Sequence, residues 1–347
     1  MGNACTCINE DQKDRDEFKN ITTDRKNKEE QVVTIQKNFR AFKARKQYAQ
    51  MKNDKYGTST TYPTPNMPIE SIHESQISLL PLIRQISERL GPFNYEQNQN
   101  PKIQGAKEQR QPQKLQNGAI YIGEWNPIQN KREGRGSQIW PDGSYYEGFW
   151  LNDQANGRGR LIHADGDVYE GDWLNDKAEG YGRYTHMDGA QYEGQWKEDK
   201  QHGKGKEQWP DGALYEGDYV HGKKHGRGKF IWSDGSVYEG QFINNNIEGD
   251  GQYSWSDGRT FTGQWRLNKM HGKGIFTWSD GRRYEGEYME DKKQGHGVFH
   301  WPDGRQYIGE WYNGKQHGRG TFVAINGQQR DGEWNGGKRV RWMDEQP

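Results

Sequence analysis

The residues with the clearest potential for chemistry lie at the amino terminus. The segment Met-Gly-Asn-Ala-Cys-Thr matches the N-myristoylation pattern, in which loss of the initiator methionine exposes the amine of Gly2 and Thr6 supplies the favoured hydroxyl. One acyl chain gives only marginal membrane affinity, and palmitoylation of Cys5 and Cys7 would supply more. The pattern predicts lipidation at Gly2, Cys5 and Cys7 on a disordered tail of residues 1–28. The alternative is two unmodified cysteines.

Catalytic and metal-binding chemistry are not indicated elsewhere. The many Gly-x-Gly pairs lack the Lys-Ser/Thr of a phosphate loop and precede predicted strands. His163 and His186 share one slot of a repeat, but without an accompanying cysteine a packing role is favoured over a metal site. Four histidines recur before a glycine, which favours a turn or packing role: His202, His225, His271 and His317. The sequence therefore predicts a non-enzymatic chain with no cofactor.

Residues 29–52 have the pattern of a basic amphipathic helix, with Val32 and Phe42 among the apolar residues on one face. The core of this segment resembles the IQ motif, I-Q-x-x-x-R-G-x-x-x-R, with alanine in place of its glycine. The resemblance implies binding of calmodulin or a related EF-hand protein, with or without calcium, and the alternative is a solvated basic helix. The matching positions are Ile35, Gln36, Phe39, Arg40, Ala41 and Arg45.

Residues 53–117 are rich in Asn, Gln, Pro and Ser, and this composition is typical of a linker. One island within it, near residues 79–90, has a proline close to its start, apolar residues at helical spacing and Gly91 just after its end. This pattern predicts a short amphipathic helix, so the region before residue 118 is predicted to be largely disordered with one or two helices.

Residues 118–342 are an array of repeats. A Tyr/Phe-x-Gly-x-aromatic pentad recurs every 23 residues, after a first spacing of 25 and before a degenerate last copy at Arg330. A Gly-x-Gly, an aromatic-rich segment and an Asp-Gly or Asn-Gly pair follow each of the first nine pentads. This pattern predicts two strands and two turns per repeat, with the Asp-Gly or Asn-Gly pair in a type I′ turn that joins one repeat to the next. The regular pentads begin at Tyr121, Tyr146, Tyr169, Tyr192, Tyr215, Tyr238, Phe261, Tyr284 and Tyr307.

Alternation within each strand places aromatic rings and glycines on one face and charged residues on the other. The run Tyr-Ile-Gly-Glu-Trp-Tyr-Asn-Gly-Lys-Gln-His-Gly-Arg-Gly, which begins at Tyr307, resembles the MORN (membrane occupation and recognition nexus) repeat, Y-E-G-E-W-x-N-G-K-x-H-G-x-G, except at Ile308. The resemblance implies an all-β repeat, an elongated twisted single sheet of stacked 23-residue hairpins. Ten repeats of two strands predict a rod on the order of 90 to 100 Å.

A single sheet needs a second layer over its apolar face, so the rings predict an aromatic groove. We expect this groove to receive an amphipathic helix, either this chain's own residues 79–90 or one from a partner, with Leu82, Ile83, Ile86 and Leu90 facing the rings. The alternatives are rings that fill the groove themselves, or a homodimer formed through end strands. The ring positions are Trp173, Trp196, Trp232, Trp255, Trp278 and Trp301.

The composition limits the function class. Lys plus Arg equals Asp plus Glu at 49 each, which does not favour nucleic acid, and no apolar run approaches the length of a membrane span. The favoured hypothesis is a cytoplasmic scaffold or adaptor, held at the inner face of a membrane by lipidation, that binds calmodulin and, through the array, protein partners or phospholipid. The alternative is a structural protein of the cilium and cytoskeleton of the radial-spoke-head type, which the MORN resemblance also implies.

Overall fold

A computed structural model describes residues 81–96 and 105–344. The described chain forms two compact units, an N-terminal unit that ends at Pro210 and a C-terminal unit that begins at Asp211. The predicted lipid-anchor tail and the predicted IQ helix, residues 1–28 and 29–52, lie outside the described residues.

The N-terminal unit consists of one helix, α1 (Pro81–Leu90), and ten antiparallel strands. The two short first strands pair side by side with the third, and the remaining strands of the unit pair in sequence order. The strands are β1 (Glu108–Gln109), β2 (Gln113–Lys114), β3 (Ile120–Asn126), β4 (Lys131–Ile139), β5 (Tyr145–Leu151), β6 (Gln154–Ile162), β7 (Val168–Leu174), β8 (Lys177–Thr185), β9 (Gln191–Lys197) and β10 (Lys200–Gln208).

The C-terminal unit consists of twelve strands, each antiparallel to the next in the chain. They are β11 (Leu214–Val220), β12 (Lys223–Ile231), β13 (Val237–Ile243), β14 (Asn246–Ser254), β15 (Thr260–Arg266), β16 (Lys269–Thr277), β17 (Arg283–Met289), β18 (Lys292–His300), β19 (Gln306–Tyr312), β20 (Lys315–Val323), β21 (Gln329–Asn335) and β22 (Lys338–Trp342). The predicted fold class, an all-β array of stacked hairpins, is confirmed.

Two turn types alternate along the array. Within a repeat, both central residues have positive φ, as at Asn152 (51°) and Asp153 (67°), which is the type I′ geometry. Between repeats only the glycine does: Gly143 has a φ of 92°, and its N–H donates to the Trp140 carbonyl at 2.9 Å. That geometry is a type I turn followed by a left-handed glycine. The predicted Asp-Gly hairpins therefore exist, but their turn type differs from the prediction, because the aspartate precedes the left-handed position.

The strand register separates the array into two faces. Tyr146 lies opposite Leu161 and Gly148 opposite Gly159, while on the other side Tyr145 lies opposite Ile162. We call the side that carries the first, third and fifth pentad residues the ring face. The opposite side, which carries the second and fourth pentad residues and the residue before each pentad, is the charged face.

Candidate docking surface

On the ring face, each pentad tyrosine lies flat over bare glycine backbone. The Tyr146 hydroxyl donates to the Phe149 carbonyl at 3.1 Å, which holds its ring across Gly148 and Gly159. A Cβ added to Gly148 would lie 2.6 Å from the Cα of Gly159, so neither position has room for a side chain. The absence of a side chain at these glycines is what lets the rings approach the backbone so closely.

Each tyrosine also joins two repeats. The ring of Tyr146 meets Trp150 of its own pentad edge to face, with centroids 5.1 Å apart, and meets Trp173 of the next pentad at 5.3 Å. The indole of Trp173 donates to the Gly159 carbonyl at 3.1 Å. Edge-to-face pairs of this kind are favourable beyond their burial, so the ladder of rings contributes both contact area and register.

The tryptophans of the predicted groove belong to this packing. Trp173, Trp196, Trp232, Trp255 and Trp278 are exposed by only 5–9%. Trp301 is half-buried. In the C-terminal unit the rings of the inter-repeat turns form a second ladder, in which Trp255 lies between Tyr253 at 4.5 Å and Phe276 at 5.2 Å. The rings therefore cover one another, as in the self-filling alternative. A ligand for the aromatic groove stays a prediction.

Helix α1 packs on the charged face of the N-terminal unit. Its Ile83 and Ile86 are buried together with Tyr145, Ile162 and Val168, which lie side by side on β5, β6 and β7. Helix packing on one side of a sheet is the usual way to cover a row of apolar side chains. The charged face therefore carries a local apolar patch that the repeat pattern does not contain.

This position differs from the expected one over the tryptophan rings. Ile83 and Ile86 face the sheet as expected, and Leu82 packs at the edge of the same cluster, but Leu90 is exposed. The physical reason is that the rings already cover the ring face, whereas the apolar row of Tyr145, Ile162 and Val168 on the charged face is buried only where the helix lies over it. The helix covers the apolar row that remains.

Arg160 fixes the carboxyl end of the helix. Its guanidinium donates to the Gly91 carbonyl at 2.8 Å and to Glu170 at 2.8 Å, and it pairs with Glu147 at 3.3 Å. Burial raises the pKa of Glu147, and the neighbouring Arg160 opposes that rise. Gly91 directly follows the last helical residue, so this bond connects the end of the helix to the sheet.

The segment after α1 extends the same contact. Phe93 is buried under the Arg160 guanidinium, whose carbon lies 5.6 Å from the ring centroid. Tyr95 meets Phe149 edge to face at 5.4 Å, and Arg135 lies over its ring at 5.3 Å. The helix and the segment that follows thus form one continuous strip on the charged face.

The charged face of the C-terminal unit is open. A groove of about 540 Å³ is lined there by Thr262, Ile275, Val298 and Ile308, among others. Ile275 lies opposite Thr262, and Val298 lies opposite Ile308, which is 40% exposed. The corresponding row in the N-terminal unit holds acid–base pairs such as Glu170 with Arg160. Glu285 lies between Ile275 and Val298 in the same row, so the floor of the groove combines three aliphatic side chains with a carboxylate.

His163 and His186, which share a repeat position, lie within the packing of the array. His163 is buried, and the His186 ring pairs with Asp188 at 2.7 Å. Within residues 81–96 and 105–344, no group of three or more potential ligands could hold a metal ion. The same residues contain no helix long and apolar enough to cross a membrane.

The lipidation residues Gly2, Cys5 and Cys7 and the IQ positions, Ile35 to Arg45, lie outside the described residues. Sequence reasoning missed the side chains of the type I′ turns. Asp176 accepts a hydrogen bond from the Ala155 N–H at 2.9 Å, one hairpin earlier. Equivalent bonds recur in later repeats, so these turn residues join neighbouring hairpins. The sequence feature that could have identified them is an Asp or Asn at the second turn position of most repeats.

The paired strands, the glycine rows and the ring ladder define a class, the open antiparallel repeat sheet. Comparison with family models identifies the MORN repeat in nine consecutive segments, which together cover more than half of the chain. The chain belongs to the MORN repeat family, whose repeat is a binding and scaffold repeat. The matched segments are residues 121–145, 146–168, 169–191, 192–214, 215–237, 238–258, 261–282, 284–304 and 307–329.

Solved structures give only distant likenesses. The TCP10 domain of Danio rerio CPAP in complex with a STIL peptide is 14% identical with a TM-score of 0.38, and the match covers 65% of this chain and 99% of that one. The SAS-4 TCP domain of Drosophila melanogaster with a proline-rich motif of Ana2 is 12% identical with a TM-score of 0.29, covering 56% and 100%. No curated protein matches.

Proposed function

We propose that this chain is a non-enzymatic scaffold, tethered to a membrane by acylation of Gly2, Cys5 and Cys7. In this proposal residues 29–52 bind calmodulin or a related EF-hand protein, and the charged face of the array binds protein partners. The observation that carries the proposal is α1 on the charged face, because it demonstrates within the chain how this sheet binds an amphipathic helix.

Three further observations support this assignment. The ring face is filled by its own side chains, so the charged face is the surface left for partners. The groove at Ile275, Val298 and Ile308 provides an open area on that face in which aliphatic side chains flank Glu285. The repeat itself is a binding and scaffold repeat.

A vesicle assay tests the proposal. The acylated full-length chain should bind phospholipid vesicles and recruit purified calmodulin to them. Gly2→Ala should weaken vesicle binding, since it removes one of the acyl chains that hold the protein at the bilayer, while keeping calmodulin binding in solution. A double variant, Ile35→Glu with Phe39→Glu, should do the reverse.

The two variants serve as controls for each other. A Gly2→Ala chain that partitions as well as the parent would show that the tail is not the anchor. If the double variant binds calmodulin as well as the parent does, both in calcium and in chelator, residues 29–52 are not the calmodulin-binding segment. Retention of the native chain in detergent-extracted axonemes would instead favour the structural role in the cilium.

A further inference from the structure

The site that holds α1 occurs twice in the array. The three apolar residues under the helix, Tyr145, Ile162 and Val168, have counterparts exactly three repeats later. Adding 69 to each number gives Leu214, Ile231 and Val237. The register is also the same, because Ile231 lies opposite Leu214 on one side and opposite Val237 on the other. We call these three residues the second triad.

The charged residues around the site repeat as well. Glu216 and Glu239 take the places of Glu147 and Glu170, and Lys229 takes the place of Arg160. The ammonium group of Lys229 lies 4.0 Å from Glu239, as the Arg160 guanidinium lies beside Glu170. A cation is therefore available where Arg160 holds the end of α1.

Burial distinguishes the occupied site from its counterpart. Residues of the first triad are 0–5% exposed, whereas those of the second triad are only half-buried. The Arg160 side chain is 6% exposed and that of Lys229 is 51% exposed. A Cβ on Gly166 would touch Ile86 at 3.5 Å, but one on Gly235 would meet nothing within 4 Å. The second site has a matching apolar triad, with Gln208 at the place of Ile139, and open space above Gly235.

The intervening repeats do not offer such a site. The next three positions of the same row after the first triad are polar, and so are the three that follow the second triad. They are Thr185, Gln191 and Gln208, then Ser254, Thr260 and Thr277. The apolar triad is thus a local feature of two places and not a property of the repeat.

We propose that the second triad is a docking site for an amphipathic helix of a partner protein. The helix carries aliphatic side chains at positions i and i+3, as Ile83 and Ile86 do in α1, and the carbonyl of the residue after its last turn faces Lys229, as that of Gly91 faces Arg160. Asp218 stands where Phe149 contacts Tyr95, so a basic residue follows the helix in place of that tyrosine. The proposal rests on the charged face being the partner surface.

A peptide of residues 79–96 serves as the probe, measured by fluorescence anisotropy against the full-length chain. The first site is already filled by α1, so saturable binding of one equivalent is expected at the second. Replacing Tyr95 by lysine in the peptide should tighten binding at the second site through Asp218, whereas the same change would weaken binding at the first, where Tyr95 packs on Phe149.

Ile231→Lys should weaken peptide binding about tenfold or more, because it places a charge in the centre of the apolar triad. Thr277→Lys is the matched control: it lies in the same row, outside both triads, and should change nothing. Lys229→Arg should tighten binding, since it restores the guanidinium fork of Arg160. Circular dichroism of each variant verifies that the array is folded.

Several results would overturn the proposal. They are the absence of saturable binding, equal affinity for the parent and Ile231→Lys, or tighter binding of the unaltered peptide than of its lysine version. Tighter binding after Ile35→Glu with Phe39→Glu would mean that the chain's own segment covers the site. Self-association that is lost in Ile231→Lys would identify a second copy as the occupant. None of these results affects vesicle or calmodulin binding, so failure here is distinguishable from failure of the scaffold proposal.

Discussion

The glycine rows under the tyrosine rings leave no space for even one methyl group. A Cβ on Gly159 would lie 2.6 Å from two carbons of the Tyr146 ring. The ring cannot retreat without losing its hydroxyl bond to the Phe149 carbonyl and its contacts with Trp150 and Trp173. Glycine is required here by the close approach of the ring, and not by the backbone conformation.

Gly159→Ala should therefore destabilise the array by about 1–3 kcal/mol, the usual cost of overpacking a well-packed site. Urea unfolding followed by tryptophan fluorescence measures the effect. Lys206→Ala, at an exposed strand position of the same unit, is the control and should stay within about 0.5 kcal/mol of the parent. Equal midpoints for the two variants would mean that the ring face is loosely packed.

Among the elements, α1 is held by an apolar row and by one cation. Ile83 and Ile86 supply the buried contact, and Arg160 joins the Gly91 carbonyl to Glu147 and Glu170. Removing a buried charge leaves its partners without compensation, which is costlier than losing an exposed pair. The stability of the docked helix therefore depends on Arg160 more than on the exposed Arg84–Glu88 pair along its outer side.

Arg160→Ala should release α1 while the strands stay paired. Amide hydrogen exchange should rise about tenfold or more within Pro81–Leu90, with little change in the C-terminal unit. Arg183→Ala, one repeat later on the same face and exposed, should leave exchange of the helix unchanged. Protection of the helix that survives Arg160→Ala would assign its docking to the apolar contacts alone.

The elements also show which features of the fold could be predicted from the sequence. The period, the strand pairs and the ring face follow from the pentad, because alternation and glycine spacing leave one arrangement. The docking side of α1 does not follow, because Tyr145, Ile162 and Val168 lie outside the repeat pattern and become a patch only when three strands pair. Likewise, Asp-Gly specifies a hairpin, but which residue takes positive φ depends on the closing pair, Trp140 with Ser144.

Over the whole chain, the composition of the charged face changes along the array. The N-terminal unit has acid–base pairs and one covered apolar patch, whereas the C-terminal unit replaces charged positions by Ile275, Val298 and Ile308. Ile308 stands where most pentads have glutamate, so it is a departure from the repeat and not a requirement of it. An open groove with exposed aliphatic side chains and a polar border is typical of an interaction site.

Ile308→Glu should restore the repeat pattern without a loss of stability, and it should weaken binding of an apolar fluorescent dye to the chain. The dye binds exposed apolar surface, so its signal reports the groove directly. Val340→Glu is the matched control, because Val340 is 61% exposed and does not line the groove. A similar loss of signal in both variants would indicate that the dye reports general surface hydrophobicity.

The ring ladder also bears on regulation by covalent modification. Burial raises the pKa of Tyr146 and Tyr169. Their hydroxyls donate hydrogen bonds to the backbone carbonyls of Phe149 and Asp172. A kinase must draw a tyrosine out of the fold to phosphorylate it, and drawing out a pentad ring would break contacts in two repeats. Tyr181 and Tyr312, which are 51% and 61% exposed, stand outside the ladder. Tyrosine phosphorylation of the folded array would therefore fall on those two residues and leave the pentads unmodified.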